Sequence, residues 1–408
     1  MSFARFHRRS SRTADPDSSR AVARLGALLY VLFALAAVAQ SMVIPLLPRL
    51  GRAYGLSPSE AALLVALPSL GTLAVSIPAG VLADRHGPRR VTIAAGALLF
   101  CSTAIEALPS LTCLLLGRLG VGLSFGIVWT TGVAWLSQAQ SDGGSPRIGA
   151  LVTSSAVGLV TGPAVGGVFA QVAGLAAPFA LIGGLLGAVF ALLCTAPAPC
   201  KRQAAEPLAV RRIVRTISEQ PGVLAGAAAL GVAGAVTGAV QLLIPTALHR
   251  HGISSGGIGL AFSLTAGLYI VVSGLVLRQG HRLITRKITT TGALALALSP
   301  LPAVTSTQPA ALIAALMLCT IPRALVSTIA YPLATGDGAR AGIRDGAVLG
   351  VMNSIWAGGM VVAPLLAGAV DQAAGPRSAY LVAIVPCVLV SVWLLARDRR
   401  QGAVPTVA

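Results

Sequence analysis

Gly80-Val81-Leu82-Ala83-Asp84-Arg85-His86-Gly87-Pro88-Arg89-Arg90 is the stretch whose reading decides the fold of this chain. It sets an acid, three arginines and two turn-forming glycines among apolar runs at residues 61–83 and 91–108. Each run reads as long enough to cross a bilayer, which takes about 20 residues. The stretch therefore reads as a charged hairpin joining two membrane helices, with its charges fixed at helix ends on one membrane face.

Composition extends this reading to the whole chain. Of 408 residues, 55% are hydrophobic and 10% charged, and the mean hydropathy is +0.83. A soluble domain carries about 25% charged residues, so a soluble globule is excluded. The net charge of +18 raises the question of nucleic acid. The basic residues, however, sit on alternate short loops between apolar blocks, which is a membrane pattern, and no nucleic-acid partner is expected. Lys201 and Lys287 are the only lysines, a bias that fits a GC-rich bacterial genome. None of the six cysteines forms a CxxC pair, so neither a zinc nor a redox motif is indicated; they read as small packing residues. The five histidines form no catalytic constellation, and His249-x-His251 lacks a third ligand. The chain is read as a non-enzyme with no metal and no cofactor.

Twelve apolar blocks follow one another, at residues 25–48, 61–83, 91–108, 111–136, 149–171, 177–196, 223–247, 257–277, 288–303, 310–334, 346–370 and 378–396. The ninth is the weakest, interrupted by Pro300 and Pro302. Arginine and lysine number 24 on one set of loops and tails and 4 on the other. The positive-inside rule then places both termini in the cytoplasm. Arg8-Arg9 suggests a twin-arginine signal, but the apolar run behind it is too long for a signal core. The expected location is a bacterial inner (plasma) membrane, multi-pass. The longest interior polar segment, 197–222, separates two sets of six spans. The expected organisation is a basic tail 1–24, a bundle 25–196, a linker 197–222, a second bundle 223–396 and a tail 397–408. Residues 207–220 read either as an amphipathic surface helix or as a solvated linker.

Two internal echoes point to duplication: Gly117-Arg118 with Pro322-Arg323, and Gly162-Pro163 with Ala363-Pro364. Such repeats are common in secondary transporters.

Gly80–Arg90 resembles the loop motif between spans two and three of the major facilitator superfamily, G-x-L-A-D-R-x-G-R-[RK]. Gly80, Leu82, Ala83, Asp84, Arg85 and Gly87 match; Pro88 replaces the first basic position, and Arg89 and Arg90 follow. The resemblance implies a gate latch. Arg118 with Gly122 is similar to the family's span-four motif, although Val121 stands where glutamine is frequent. Gly158-Leu159-Val160-Thr161-Gly162-Pro163-Ala164-Val165-Gly166-Gly167 matches G-x-x-x-G-P-x-x-G-G, the span-five motif typical of the superfamily's exporters. The implied fold is all-α, twelve transmembrane helices in two six-helix bundles. The loop near Gly274 has no acid where Asp84 sits, so the latch is expected to be asymmetric.

The resemblance also implies a central cavity lined by spans one, four, seven and ten. The polar or aromatic candidates there are Gln40, Ser41, Trp129, Thr130, Thr237, Gln241 and Arg323, with Asn353 and Trp356 from span eleven. Sparse polar groups on an apolar wall suit a lipophilic ligand. The function expected is export of a small lipophilic compound, a drug or secondary metabolite, by alternating access in exchange for protons. The protein is expected to act as a monomer in the lipid bilayer. No acid lies mid-span, and Asp84 or Glu106 is the expected proton carrier. Two other readings stay open: an organic anion clamped between Arg118 and Arg323, and a transport-inactive receptor or structural protein on the same fold.

Overall fold

The computed structural model describes residues 16–76, 78–139, 145–196, 220–342 and 345–402. The tail before residue 16 and residues 207–219 of the basic linker lie outside them.

Proline and glycine punctuate the helices. Span one runs Pro16–Ser41, passes through a 3-10 turn at Ile44–Leu46 and resumes as Leu47–Tyr54. Gly55 ends it in a left-handed conformation, with φ 64°. Ser57 and Glu60 then close a capping box on span two, Pro58–Val75. Pro78 opens a separate short helix, Pro78–His86, so the apolar run 61–83 forms two helices rather than one. Gly87, with φ 84°, turns the chain, and Pro88 starts span three, Pro88–Ile105. That positive φ is strained for any side-chain-bearing residue. Spans four to six are Leu111–Ala139, Ser145–Ala173 and Ala177–Cys194.

The second bundle begins with span seven, Pro221–Arg250, and span eight, Ser255–Arg278. Span nine is broken as its prolines predict, into Arg286–Leu298 and Leu301–Thr305. Pro309–Arg340, Asp345–Ala374 and Pro376–Gly402 complete it. Eleven described spans are long and apolar enough to cross a membrane. Pro88–Ile105 is the twelfth member, opening on Arg89 and Arg90. The outward faces are apolar: Val172, Leu264 and Leu277 are among the most exposed side chains. Cys101 and Cys194 are also exposed, which corrects the packing role expected for them; among the described cysteines only Cys319 and Cys387 are buried.

Small residues set how the helices meet. Along span five the motif carries two interleaved stripes. A Cβ at Gly158, Gly162 or Gly166 would collide with span one, at Ala34, Ser41 and Met42 respectively. A Cβ at Gly167 would collide with the Ser255 carbonyl of span eight, and one at Gly259 of span eight with the Pro163 carbonyl. One stripe thus builds the first bundle and the other joins it to the second. Pro163 cannot continue the helix ladder, and the neighbouring Ala164 N–H donates to Ser263 Oγ of span eight at 3.0 Å. Span eleven repeats the scheme. Its Gly359 sits against span seven at Gly231 and Gly234, and its Gly368 against span two at Pro58 and Ala62. The bundles therefore meet along two seams, span two on eleven and span five on eight.

Candidate functional site

Between the bundles lies a cavity of about 220 Å³. Its wall is mostly apolar, with Phe125, Phe262, Leu316 and Trp356 among the lining side chains. Of the polar candidates, Gln40, Ser41, Thr237, Gln241, Arg118 and Arg323 line it. Trp129, Thr130 and Asn353 do not. Trp129 packs its ring 5.4 Å from Phe33 and 6.0 Å from Phe125. Thr130 returns its hydroxyl to the Gly126 carbonyl, and Asn353 accepts from the Tyr331 hydroxyl at 2.6 Å.

Arg118 is 3% exposed, so it does not reach out to the interface. Its position follows from a helix end. Span one stops at Ser41 ahead of Pro45, which offers no N–H to continue the ladder. The carbonyls of its last turn are the orphans of such an end. Arg118 takes two of them: Nη1 donates to Ala39 at 3.0 Å and Nη2 to Gln40 at 2.9 Å. Its Nε donates to the Leu64 carbonyl of span two at 3.3 Å. On its other side, Glu106 at the end of span three comes within 3.7 Å of Nη1. Glu106 is 3% exposed, and neither carboxylate oxygen accepts a hydrogen bond from the described residues. Gly117 makes room for it, since a Cβ there would strike Glu106 Cγ. Spans one to four thus converge on one guanidinium. The Gly117-Arg118 pair was the signal in the sequence; the burial of Glu106 was not, because it stands one residue beyond its helix.

Arg323 occupies the other wall. Its guanidinium carbon lies 4.8 Å over the ring of Tyr269 in span eight, a partner that sequence reading missed. Its Nε is occluded and makes no hydrogen bond. The two echoed arginines therefore share the cavity but not their surroundings. Arg118 already contacts four groups, so the two arginines of the clamp left open by the sequence have unequal surroundings.

The hairpin Gly80–Arg90 lies at the face where span one begins and the last span ends. Asp84, Arg85 and Arg90 are exposed there. No ion pair to Asp84 is found among the described residues. Arg89 reaches across to span six, where its Nε donates to the Ala196 carbonyl at 3.1 Å and its Nη2 to the Cys194 carbonyl at 3.2 Å. A cation there complements the C-terminal end of span six. In the second half Asp337 of span ten accepts from the Gly222 N–H at 2.8 Å, at the start of span seven. An acid at a helix start is therefore present in that half, on span ten rather than in the loop near Gly274.

Besides Ala164 with Ser263 inside the seam, three inter-bundle polar contacts lie at the opposite face. Arg52 donates to His249, whose other ring nitrogen meets the Ile253 carbonyl at 3.1 Å. Ser59 donates to Gln372, and the Gly256 N–H donates to Gln171 at 3.1 Å. With both ring nitrogens of His249 engaged, it is a bundle-to-bundle tie. No group of three or more metal-ligating side chains occurs among the described residues.

Comparison with known proteins places this geometry. The chain is 32% identical over 152 residues to a multi-drug resistance efflux pump PmrA homolog of Lactococcus lactis, covering 36% of this chain and 37% of that one. It is 27% identical over 151 residues to the multi-drug resistance efflux pump PmrA of Streptococcus pneumoniae, covering 36% and 38%. The match thus spans little more than a third of those relatives' length. In fold, it resembles a bacterial homolog of the human lysosomal transporter Spinster, inward-facing and occupied. The TM-score is 0.76 at 14% identity, covering 95% of this chain and 98% of that one. An auto-inhibited POT family peptide transporter gives 0.72 at 13% identity, covering 94% and 98%. The model of the Major Facilitator Superfamily matches residues 29–343, and again 226–407. The chain belongs to the Major Facilitator Superfamily.

Proposed function

We propose that the protein is a secondary active transporter that exports a small lipophilic compound by alternating access in exchange for protons. The observation that carries this reading is the cavity between the bundles, apolar over most of its wall and holding a few polar groups. The partial relatives named as multi-drug efflux pumps support the direction of transport. The ties at the face opposite the termini, against the exposed Asp84 at the terminal face, support a cavity that opens toward the termini. The charge bias supports placing those termini in the cytoplasm of a bacterial cell, and two bundles closed around one cavity suit a monomer.

Glu106 is the better of the two candidate proton carriers. It is buried, and its one ionic partner among the described residues is Arg118, which faces the cavity. Asp84 is exposed and does not line the cavity. Protonation of Glu106 releases Arg118 from its counter-charge and alters the four-span junction, which links proton binding to bundle shape.

The test is efflux from cells expressing the chain, across a panel of lipophilic dyes and antibiotics, with and without a proton uncoupler. Lower accumulation that the uncoupler reverses is expected. Accumulation unchanged by expression sinks the exporter; uncoupler-insensitive efflux sinks only the proton coupling.

A further inference from the structure

Two guanidinium groups face the cavity, and only one has a carboxyl group beside it among the described residues. Arg118 has Glu106 at 3.7 Å and three carbonyl acceptors. Arg323 has no carboxylate within ion-pair distance among the described residues. Its Nε is closed off from solvent with no acceptor, and its companion is the ring face of Tyr269 at 4.8 Å. A lone, half-buried cation in an apolar, membrane-embedded setting is costly, and an anion or carbonyl set normally stands beside it. A ring face recovers only part of that cost. The planar guanidinium fork suits two-point recognition of an oxyanion. Around it the wall is apolar, with Phe125, Phe262, Leu316 and Trp356. A surplus positive charge set in an apolar cavity is complementary to an amphiphile bearing one negative group.

We propose that the cargo is an amphiphilic organic anion whose carboxylate or sulfonate docks on Arg323 while its apolar body lies against Phe125, Phe262 and Trp356. This rests on the cavity being the cargo site, and it replaces the two-arginine clamp with a single anchor.

A matched pair of probes tests it: 1-anilinonaphthalene-8-sulfonate, and N-phenyl-1-naphthylamine, which has the same rings without the sulfonate. Binding to the full chain in phosphatidylcholine nanodiscs is read by energy transfer from tryptophan, with empty nanodiscs subtracted. The wild type is expected to hold the sulfonate at least about tenfold more tightly, the factor that ~1.4 kcal/mol represents. Arg323→Gln is expected to erase that preference and leave the neutral probe unchanged; Arg323→Lys keeps part of it. Equal binding of both probes by the wild type, a comparison that needs no variant, overturns the anionic cargo and leaves a lipophilic cavity standing. A sulfonate preference that survives Arg323→Gln overturns the anchor. Failure of both probes to bind the wild type overturns the cavity as cargo site and the proposal with it.

Discussion

At the scale of single residues, charge in this membrane domain is held by counting partners. Arg118 is buried with one carboxylate and three carbonyls around it. Removing one member of a buried pair typically costs about 3–5 kcal/mol, because the other charge is left uncompensated. Arg118→Gln and Glu106→Gln are each expected to lower the melting temperature of the purified protein clearly. The double variant is expected to lose less than the sum, since neither charge is stranded; a non-additive cycle is the measurement. Additive losses would mean the two groups do not act as a pair. Glu106→Gln also mimics the protonated acid, so it is expected to leave dye efflux insensitive to an uncoupler. Arg118 was legible in the sequence because an arginine inside an apolar run is conspicuous. Glu106 was harder to read, because an acid at a helix end looks ordinary until the packing of Gly117 against it is known.

At the scale of helices, glycine placement decides which faces meet. Gly259 and Gly267 lie on the same span, eight residues apart, yet differ in surroundings. A Cβ at Gly259 would strike the Pro163 carbonyl of span five, whereas one at Gly267 meets nothing within 4 Å. Gly259→Ala is therefore expected to push the bundles apart at this seam, at the ~1–3 kcal/mol typical of overpacking. Gly267→Ala is expected to be neutral or slightly stabilising through helix propensity. Thermal melting of the two variants side by side checks this; equal behaviour refutes the seam. The span-five motif could be read in the sequence because its small residues recur every four positions. That it contains two stripes, one facing span one and the other span eight, could not, since which neighbour a helix face meets is settled only by tertiary packing. The same limit explains the hairpin at Gly80–Arg90. Its turn at Gly87 and Pro88 was readable from backbone chemistry. The use of Arg89 to cap span six depends on a helix about a hundred residues away.

At the scale of the molecule, twelve spans, two bundles and the break in span nine were legible because hydropathy and proline act locally. The face at which polar ties join the bundles was not, because those ties depend on pairs brought together only by folding. Those pairs lie at one end: Ser59 with Gln372, Arg52 with His249, and Gln171 with the start of span eight. If the bundles rock about the central site, these contacts must part whenever cargo leaves on that face. Ser59 and Gln372 touch across the seam of spans two and eleven, so a Ser59→Cys, Gln372→Cys pair suits a reversible lock. In a background with the six native cysteines replaced by alanine, oxidation is expected to join spans two and eleven and stop dye efflux, and dithiothreitol to restore it. Each single variant should be indifferent to oxidant. Cargo binding from the terminal face should survive the lock, because the cavity in this closed arrangement is the one described. Efflux that continues at full rate in the crosslinked protein would mean that this face need not open during transport.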